Sequence, residues 1–173
     1  MKRKTCKGFS CLRLTPYDLL KFMDYHPILS KLFVGSYPGS ASDIEILKRQ
    51  AAISAVLNLQ TDDDMQHFNL DWNSLATHYQ TCRIHPCRVP VRDLDPVDLQ
   101  DKLPACVSAL NELMESGHTV YLHCSAGAGR SPTVAVAYLS WCCGWDLDAA
   151  VAHVTQCRCC LPNIDAIRFA TRM

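Results

Sequence analysis

A cysteine followed six residues later by an arginine, with only small residues between them, has the makings of a loop that holds an oxyanion. The string is His123-Cys124-Ser125-Ala126-Gly127-Ala128-Gly129-Arg130-Ser131. Val120-Tyr121-Leu122 precedes it, and Pro132-Thr133-Val134-Ala135-Val136 follows. That order predicts a buried strand, a loop and a helix start. The backbone N–H groups of Ser125, Ala126, Gly127, Ala128 and Gly129 can then turn inward as an anion cradle at a helix N-terminus. Pro132 suits a first helical turn, where its missing donor costs nothing. A free thiol titrates at about 8.5. Inward N–H groups, the helix end and Arg130 all favour the anion, so Cys124 is expected to be a thiolate at neutral pH. Its chemistry is attack on phosphorus to give a cysteinyl-phosphate. Arg130 is expected to clamp two phosphoryl oxygens in a bidentate fork that lysine cannot copy. It also meets charge that grows in the transition state. The Ser131 hydroxyl is expected to bond the sulfur and help it leave, and His123 to brace the loop rather than act as a base.

Three other readings of the cysteine and arginine exist. One is a buried structural cysteine beside a glycine-rich turn. The others are rhodanese-like and arsenate-reductase-like loops, which lack this full string. A thiolate phosphatase also needs a proton donor for the leaving alkoxide. Candidates sit in Arg92-Asp93-Leu94-Asp95-Pro96-Val97-Asp98. Asp93 follows the apolar strand Val89-Pro90-Val91 after one residue and is favoured by spacing. Asp95, before proline, reads as a turn residue. Asp98 reads as the cap of a helix beginning near Leu99.

These residues carry a resemblance. The chain resembles the cysteine-dependent dual-specificity phosphatases, and within them the phosphoglucan phosphatases of the plant starch-excess and animal laforin types. The likeness runs from about Tyr17 to the C-terminus. It includes Leu32-Phe33-Val34-Gly35-Ser36, Asp43-Ile44-Glu45-Ile46-Leu47, Val56-Leu57-Asn58-Leu59-Gln60, the Asp93 segment, the Cys124 loop and Leu161-Pro162-Asn163-Ile164-Asp165-Ala166-Ile167-Arg168. It implies Cys124 as nucleophile, Arg130 as phosphate clamp and Asp93 as general acid, with no cofactor and no metal. The loop fits the pattern Cys-polar-Ala-Gly-apolar-Gly-Arg of the glucan enzymes, and many protein-directed relatives carry serine at the place of Gly129. Phosphoinositide enzymes of this class tend to place lysines in the loop. This one has none, which disfavours a polyphosphorylated inositol. Glucan enzymes line the cleft with aromatics. Phe68 matches one such position, whereas His67, Leu94 and Leu161 stand where the plant enzymes look aromatic. The other reading of Phe68 and Trp72 is core packing. Ser131 departs from the plant type, which tends toward alanine, and agrees with the laforin type.

The elements that must position these residues alternate along the chain. Strands are expected near Leu32–Gly35, Ile53–Leu59, Ile84–Val91 and Val120–His123. Ser42-Asp43-Ile44-Glu45 reads as a capping box before a helix to about Gln50. Leu99, Leu103, Cys106, Val107, Leu110 and Met114 form a helical stripe that Pro104 must kink or restart. Ser131–Cys143 reads as a helix stopped by Gly144. Asp146 is a cap for a helix to about Cys157, and Asn163 for the last one. The expected fold class is α/β, a cysteine-phosphatase fold with a central mixed sheet covered by helices on both faces.

A length of 173 residues suits one domain, and 49% hydrophobic with 20% charged residues is ordinary for a globular chain. The basic stretch at residues 1–15 is expected to be a tail or targeting remnant. Residues 16–173 are expected to be the catalytic domain, without a carbohydrate-binding module. A formal net charge of zero argues against nucleic-acid binding, and no apolar run approaches a membrane span. Eleven cysteines leave room for a disulfide framework, or for a zinc site from Cys82, His85, Cys87 or the Cys157 cluster. Reduced thiols in a reducing intracellular compartment, plastid or cytoplasm, are the favoured reading. A second, unidentified cysteine can protect Cys124 as a reversible disulfide. The expected partner is a phosphorylated glucan. Alternatives are a phosphoprotein substrate, or a non-catalytic glucan-binding scaffold.

Overall fold

The computed structural model describes residues 23–170. The expected basic tail at residues 1–15, and the domain start at residue 16, lie outside the described residues.

Five strands form one mixed sheet in the order β1-β2-β5-β3-β4. They are β1 (Tyr25–Leu29), β2 (Leu32–Gly35), β3 (Ala55–Asn58), β4 (His85–Arg88) and β5 (Val120–His123). The three central strands follow the expected apolar runs. β1 carries Pro27 and pairs antiparallel with β2 at the sheet edge, where a missing ladder donor is tolerated. That proline hides the strand from a periodicity reading. All other pairings are parallel. Parallel strands need crossover connections, and the chain supplies helices for them.

Alternation along each strand sends residues to two different cores. Leu32, Val34, Leu57, Val120 and Leu122 face one side. There they meet α4 (Pro96–Glu115), α5 (Arg130–Trp141), α6 (Leu147–Cys157) and α7 (Ile164–Ala170). Val56 and Tyr121 face the other side. There they meet Ile44 and Leu47 of α1 (Ala41–Ala51) and Tyr79 of α3 (Trp72–Thr81). A short α2 (Asp62–His67) lies between β3 and α3. The expected α/β fold with both faces covered is observed. α5 is buried all round from Arg130 to Leu139, so its N-terminus cannot shift without disturbing the core. Val134, Val136 and Leu139 are fully buried, each contributing about 2 kcal/mol of transfer free energy.

Four expectations about helix ends and interiors are corrected. The α1 cap is Ser40, not Ser42: its Oγ accepts from the Asp43 N–H at 3.2 Å. The Asp43 carboxylate accepts in return from Gly39 N–H at 3.0 Å. α4 is capped by Asp95, whose Oδ1 accepts from Val97 and Asp98 N–H, with Pro96 at the first helical position. Asp95 is therefore a cap and not only a turn residue. Asp98 is not a cap; it lies in the first turn and accepts from the Arg92 N–H at 2.7 Å and Lys102 Nζ at 3.0 Å. Pro104 neither splits nor restarts α4, which runs unbroken over 20 residues. It sits on the exposed face, where water can serve the carbonyl it fails to bond. In the stripe, Leu113 is buried and Met114 only partly so.

Candidate active site

Strand β5 ends at His123, and the chain turns through Cys124–Gly129 into α5. Six consecutive carbonyls around this turn each meet a donor. The Cys124 carbonyl accepts from His123 Nδ1 at 3.0 Å. That of Ser125 accepts from Tyr37 N–H at 3.0 Å. Arg158 takes two: Ala126 O from Nη2 at 3.1 Å and Gly127 O from Nε at 2.7 Å. Ala128 O accepts from Leu161 N–H at 2.8 Å. Gly129 O accepts from the Thr133 N–H at 3.1 Å and from its Oγ1 at 2.8 Å. With the carbonyls held away, the N–H groups are free to line an anion cradle. The Gly127 N–H already points at Cys124 Sγ, at 3.3 Å.

Gly127 is the one residue of the turn with positive φ, at +68°. A Cβ there would lie 2.3 Å from the Gly35 carbonyl oxygen. At Gly129 a Cβ would meet nothing within 4 Å, so packing does not demand glycine there.

Cys124 is 3% exposed, and its sulfur accepts from the Ser131 hydroxyl at 3.4 Å. The expected Ser131–sulfur contact is therefore present. His123, expected to brace the loop, meets the Cys124 carbonyl through its ring. The carbonyl it meets can only accept, which fixes its proton on Nδ1. Burial lowers its pKa to about 4; the Cys124 carbonyl opposes that shift and the Arg130 charge adds to it. His123 is therefore neutral at pH 7.

The sign of the resulting pH effect follows from linkage. Above about pH 6.5 the ring is neutral in folded and unfolded chains alike. As pH falls toward 4 the unfolded chain takes the proton first, so stability is lost. Between pH 7 and pH 5 this one group removes about 2 kcal/mol. Urea midpoints at the two pH values, with an NMR titration of the ring, check it. A His123 ring that protonates above pH 6 contradicts the assignment.

Arg130 is 3% exposed and enclosed by α2, the segment after β4 and the turn after β5. Its Nη1 donates to Asp64 Oδ2 and to the Val91 carbonyl, both at 2.7 Å. Nη2 donates to Ser125 Oγ at 3.1 Å. Asp93 Oδ1 lies 3.1 Å from Nε. That is an ion-pair distance, but the N–H is not aligned, and Nε is buried without a hydrogen-bond partner among the described residues. Asp93 is half exposed, and its neighbour Leu94 holds φ +56° with 96% of its surface exposed. A left-handed leucine costs about 1 kcal/mol. It marks the tight turn that presents Asp93 beside Arg130. Asp93, Leu94, Gly129, Arg130 and Asn163 share a cavity of about 230 Å³.

The expected cleft residues are only partly brought together. Phe68 is partly buried and belongs to neither core. Its ring stacks on Tyr37 at 4.5 Å, and His67 meets it edge-on at 4.9 Å. The Tyr37 N–H holds the Ser125 carbonyl, so the backbone that carries this aromatic pair adjoins the cradle. Trp72 instead packs against the second core, with Arg88 over its ring. Leu161 is 87% exposed; its backbone serves the cradle, while its side chain does not line the Asp93 cavity.

Sequence reasoning missed Tyr37, Asp64, Gln60 and Arg158. Gln60 is buried and donates to Ser125 Oγ at 3.3 Å. Arg158 is 5% exposed and also pairs with Asp24 at 3.1 Å and with His26 Nδ1 at 3.1 Å. The Thr61-x-x-Asp64 spacing was a legible capping signal for α2. Arg158 lies among cysteines with no motif around it. The nine described cysteines are all free, and among the described residues no three metal-binding side chains converge. Among them, too, no helix is long and apolar enough to cross a membrane.

Comparison with known proteins agrees with this geometry. Two curated plant relatives are each 35% identical and match 86% of this chain: phosphoglucan phosphatase LSF1, chloroplastic, from Arabidopsis thaliana, and phosphoglucan phosphatase DSP4, amyloplastic, from Castanea sativa. The chain spans only 25% and 40% of their lengths. The crystal structure of PTPMT1 in complex with PI(5)P superposes with a TM-score of 0.71 at 19% identity, over 86% of this chain and 92% of that one, which shows the shared fold. The model of the dual specificity phosphatase catalytic domain matches residues 32–169, and with the loop, clamp and sheet already in place the chain belongs to that family.

Proposed function

We propose that this chain is the catalytic unit of a phosphoglucan phosphatase that works through a cysteinyl-phosphate. The observation that carries the phosphatase reading is the ring of six engaged carbonyls around Cys124, facing an Arg130 whose buried Nε has no hydrogen-bond acceptor among the described residues. A phosphate monoester seated there places phosphorus beside Sγ and two of its oxygens on the Arg130 fork. The Cys124 thiolate forms the S–P bond as the P–O bond to the sugar breaks. Asp93 gives its proton to the departing alkoxide. Water then attacks phosphorus, Asp93 takes a proton back, and the thiolate leaves with the Ser131 hydroxyl on it. Cys124, Arg130 and Asp93 carry the bond changes. The Ser125–Gly129 backbone binds phosphate, and His123 and Ser131 support it. No metal enters the cycle.

The glucan substrate is supported by the plant relatives and by the Tyr37–Phe68 stack, whose faces suit sugar rings. Their chloroplastic and amyloplastic names support a plastid over the cytoplasm. One observation favours a phosphoprotein substrate instead: Leu94 and Leu161 are aliphatic and 96% and 87% exposed. Phosphate release from phosphorylated amylopectin, beside a phosphotyrosine peptide and with Cys124→Ser as blank, tests the choice. Strong glucan and weak peptide turnover is expected; the reverse assigns the protein to phosphoproteins.

The general acid has its own signature. Asp93→Ala is expected to slow a sugar phosphate about 10²-fold or more, and an activated aryl phosphate far less, because an aryl oxide leaves without protonation. Equal losses on both substrates contradict the role.

A further inference from the structure

Arg130 is gripped by two carboxylates that differ in kind. Asp93 is half exposed and touches only Nε, without an aligned hydrogen bond. Asp64 is 14% exposed and reaches the opposite edge, with Oδ2 at 2.7 Å from Nη1. Its other oxygen lies 3.5 Å from both Nη2 and Ser125 Oγ. Asp64 is itself held. Thr61 N–H and Oγ1 both donate to Oδ2, at 2.9 and 3.0 Å, and Thr61 Oγ1 accepts from the Asp64 N–H at 3.1 Å. Burial alone would raise its pKa, but hydrogen bonds from Arg130 and Thr61 outweigh that, and its carboxyl titrates below the usual range. The Val91 carbonyl completes the grip on Nη1. The far edge of the guanidinium is thus saturated by fixed acceptors. The near edge, Nε and Nη2, meets an unaligned Asp93 carboxylate, the neutral Ser125 hydroxyl and, only at the long distance of 3.5 Å, the second Asp64 oxygen.

We infer that Asp64 is the positioning residue of this site: it locks the Nη1 edge of Arg130 so that the Nε–Nη2 edge alone is presented to phosphate. Asp93 is the exchangeable partner, displaced from Nε when phosphate arrives. The inference rests on the phosphatase reading and adds a residue to it. A guanidinium free to rotate loses the fork alignment, and small misplacements of a binding group cost on the order of 10²-fold in rate.

The test uses inorganic phosphate as the binding probe and an aryl phosphate as substrate, with wild-type protein, Asp64→Asn and Asp93→Asn. Asp64→Asn keeps the shape and an acceptor for the Thr61 cap but loses the charge. It is expected to weaken phosphate binding and to lower kcat, each about tenfold or more, with a Tm near wild type. Asp93→Asn is expected to hold phosphate within about threefold of wild type, because it removes only the exchangeable partner. A purely structural Asp64 would lower Tm and leave kcat per folded molecule unchanged, which overturns the inference. Should Asp64→Asn not fold, the wild type decides: ¹⁵N spectra of ligand-free protein are expected to show separate, slowly exchanging Arg130 Nη1 and Nη2 signals, and one averaged signal overturns it. If wild-type protein neither binds phosphate nor turns over the aryl ester, the phosphatase reading itself fails and the inference with it. Wild-type turnover with an unaffected Asp64→Asn sinks the inference alone.

Discussion

Cys124→Ser is expected to lower phosphate release by about 10⁴-fold or more, the scale seen when a covalent nucleophile is removed, while inorganic phosphate still binds. The two halves of this result have separate structural causes. Turnover is expected to depend on sulfur, because a serine hydroxyl stays protonated at neutral pH and the groups that meet Cys124 Sγ among the described residues, the Gly127 N–H and the Ser131 hydroxyl, are donors and not bases. His123 is a poor candidate for that work: burial lowers its pKa to about 4, which makes it a weak base, and its Nδ1 proton is spent on the Cys124 carbonyl while Nε2 meets no hydrogen-bond partner among the described residues. Binding depends on groups the substitution leaves in place. The carbonyls of Ser125–Gly129 are held by Tyr37, Arg158, Leu161 and Thr133. Arg130 is held by Asp64 and Val91. The Gly127 N–H and Ser131 hydroxyl that now meet sulfur can meet a serine oxygen. Phosphate release assayed beside calorimetric phosphate binding separates the two. A serine variant that still turns over at a tenth of the native rate rules out the cysteinyl-phosphate route. One that neither turns over nor binds phosphate shows that the cradle is not self-supporting.

The second large effect concerns backbone rather than chemistry. Gly127→Ala is expected to destabilise the protein by about 3 kcal/mol, combining a left-handed backbone cost with overpacking. The new methyl carbon would sit 2.3 Å from the Gly35 oxygen and 2.4 Å from its carbonyl carbon, on backbone of β2 that cannot swing aside. It would also press on Arg158 Nη2 at 2.8 Å, the atom that holds Ala126 O. Relief requires the loop to rise out of the sheet, which turns the Gly127 N–H away from sulfur. Loss of one such anion donor costs roughly 10²–10³-fold in rate. The expected outcome is a Tm lower by roughly 10 °C and near-complete loss of turnover in the molecules that remain folded. Gly129→Ala is the control, since its Cβ would meet nothing within 4 Å. Equal damage from both substitutions would mean that glycine serves flexibility rather than the Gly35 contact.

The loop chemistry and the sheet-and-helix order were legible from the residues because both are local. Small residues between Cys124 and Arg130 can only make a tight turn. The apolar runs of β2, β3 and β5 each stand alone as strands, and Asp146 and Gly144 punctuate helices without outside help. Where local signals competed, tertiary contacts chose between them. Ser40 won the α1 cap over Ser42. Asp95 won the α4 cap from Asp98, whose carboxylate was claimed by the Arg92 N–H. α2 and α3 are short and largely polar, and no apolar period announces them.

By itself the sequence singled out Cys124 and Arg130 as candidates for nucleophile and clamp, and, with the family resemblance, Asp93 as candidate general acid, because such candidates are read from residue type and from spacing within one turn or one strand end. Only the tertiary structure decided what holds them. Arg158 reaches the cradle from the end of α6, Tyr37 from beyond β2, and Asp64 from α2, 66 residues before the arginine it positions. Such partners are set by where the chain crosses itself, and a buried guanidinium or carboxylate meets whichever group the fold delivers. A sequence pattern carries no mark of that delivery until the sheet order β1-β2-β5-β3-β4 brings the ends of β2, β3 and β5 to one edge.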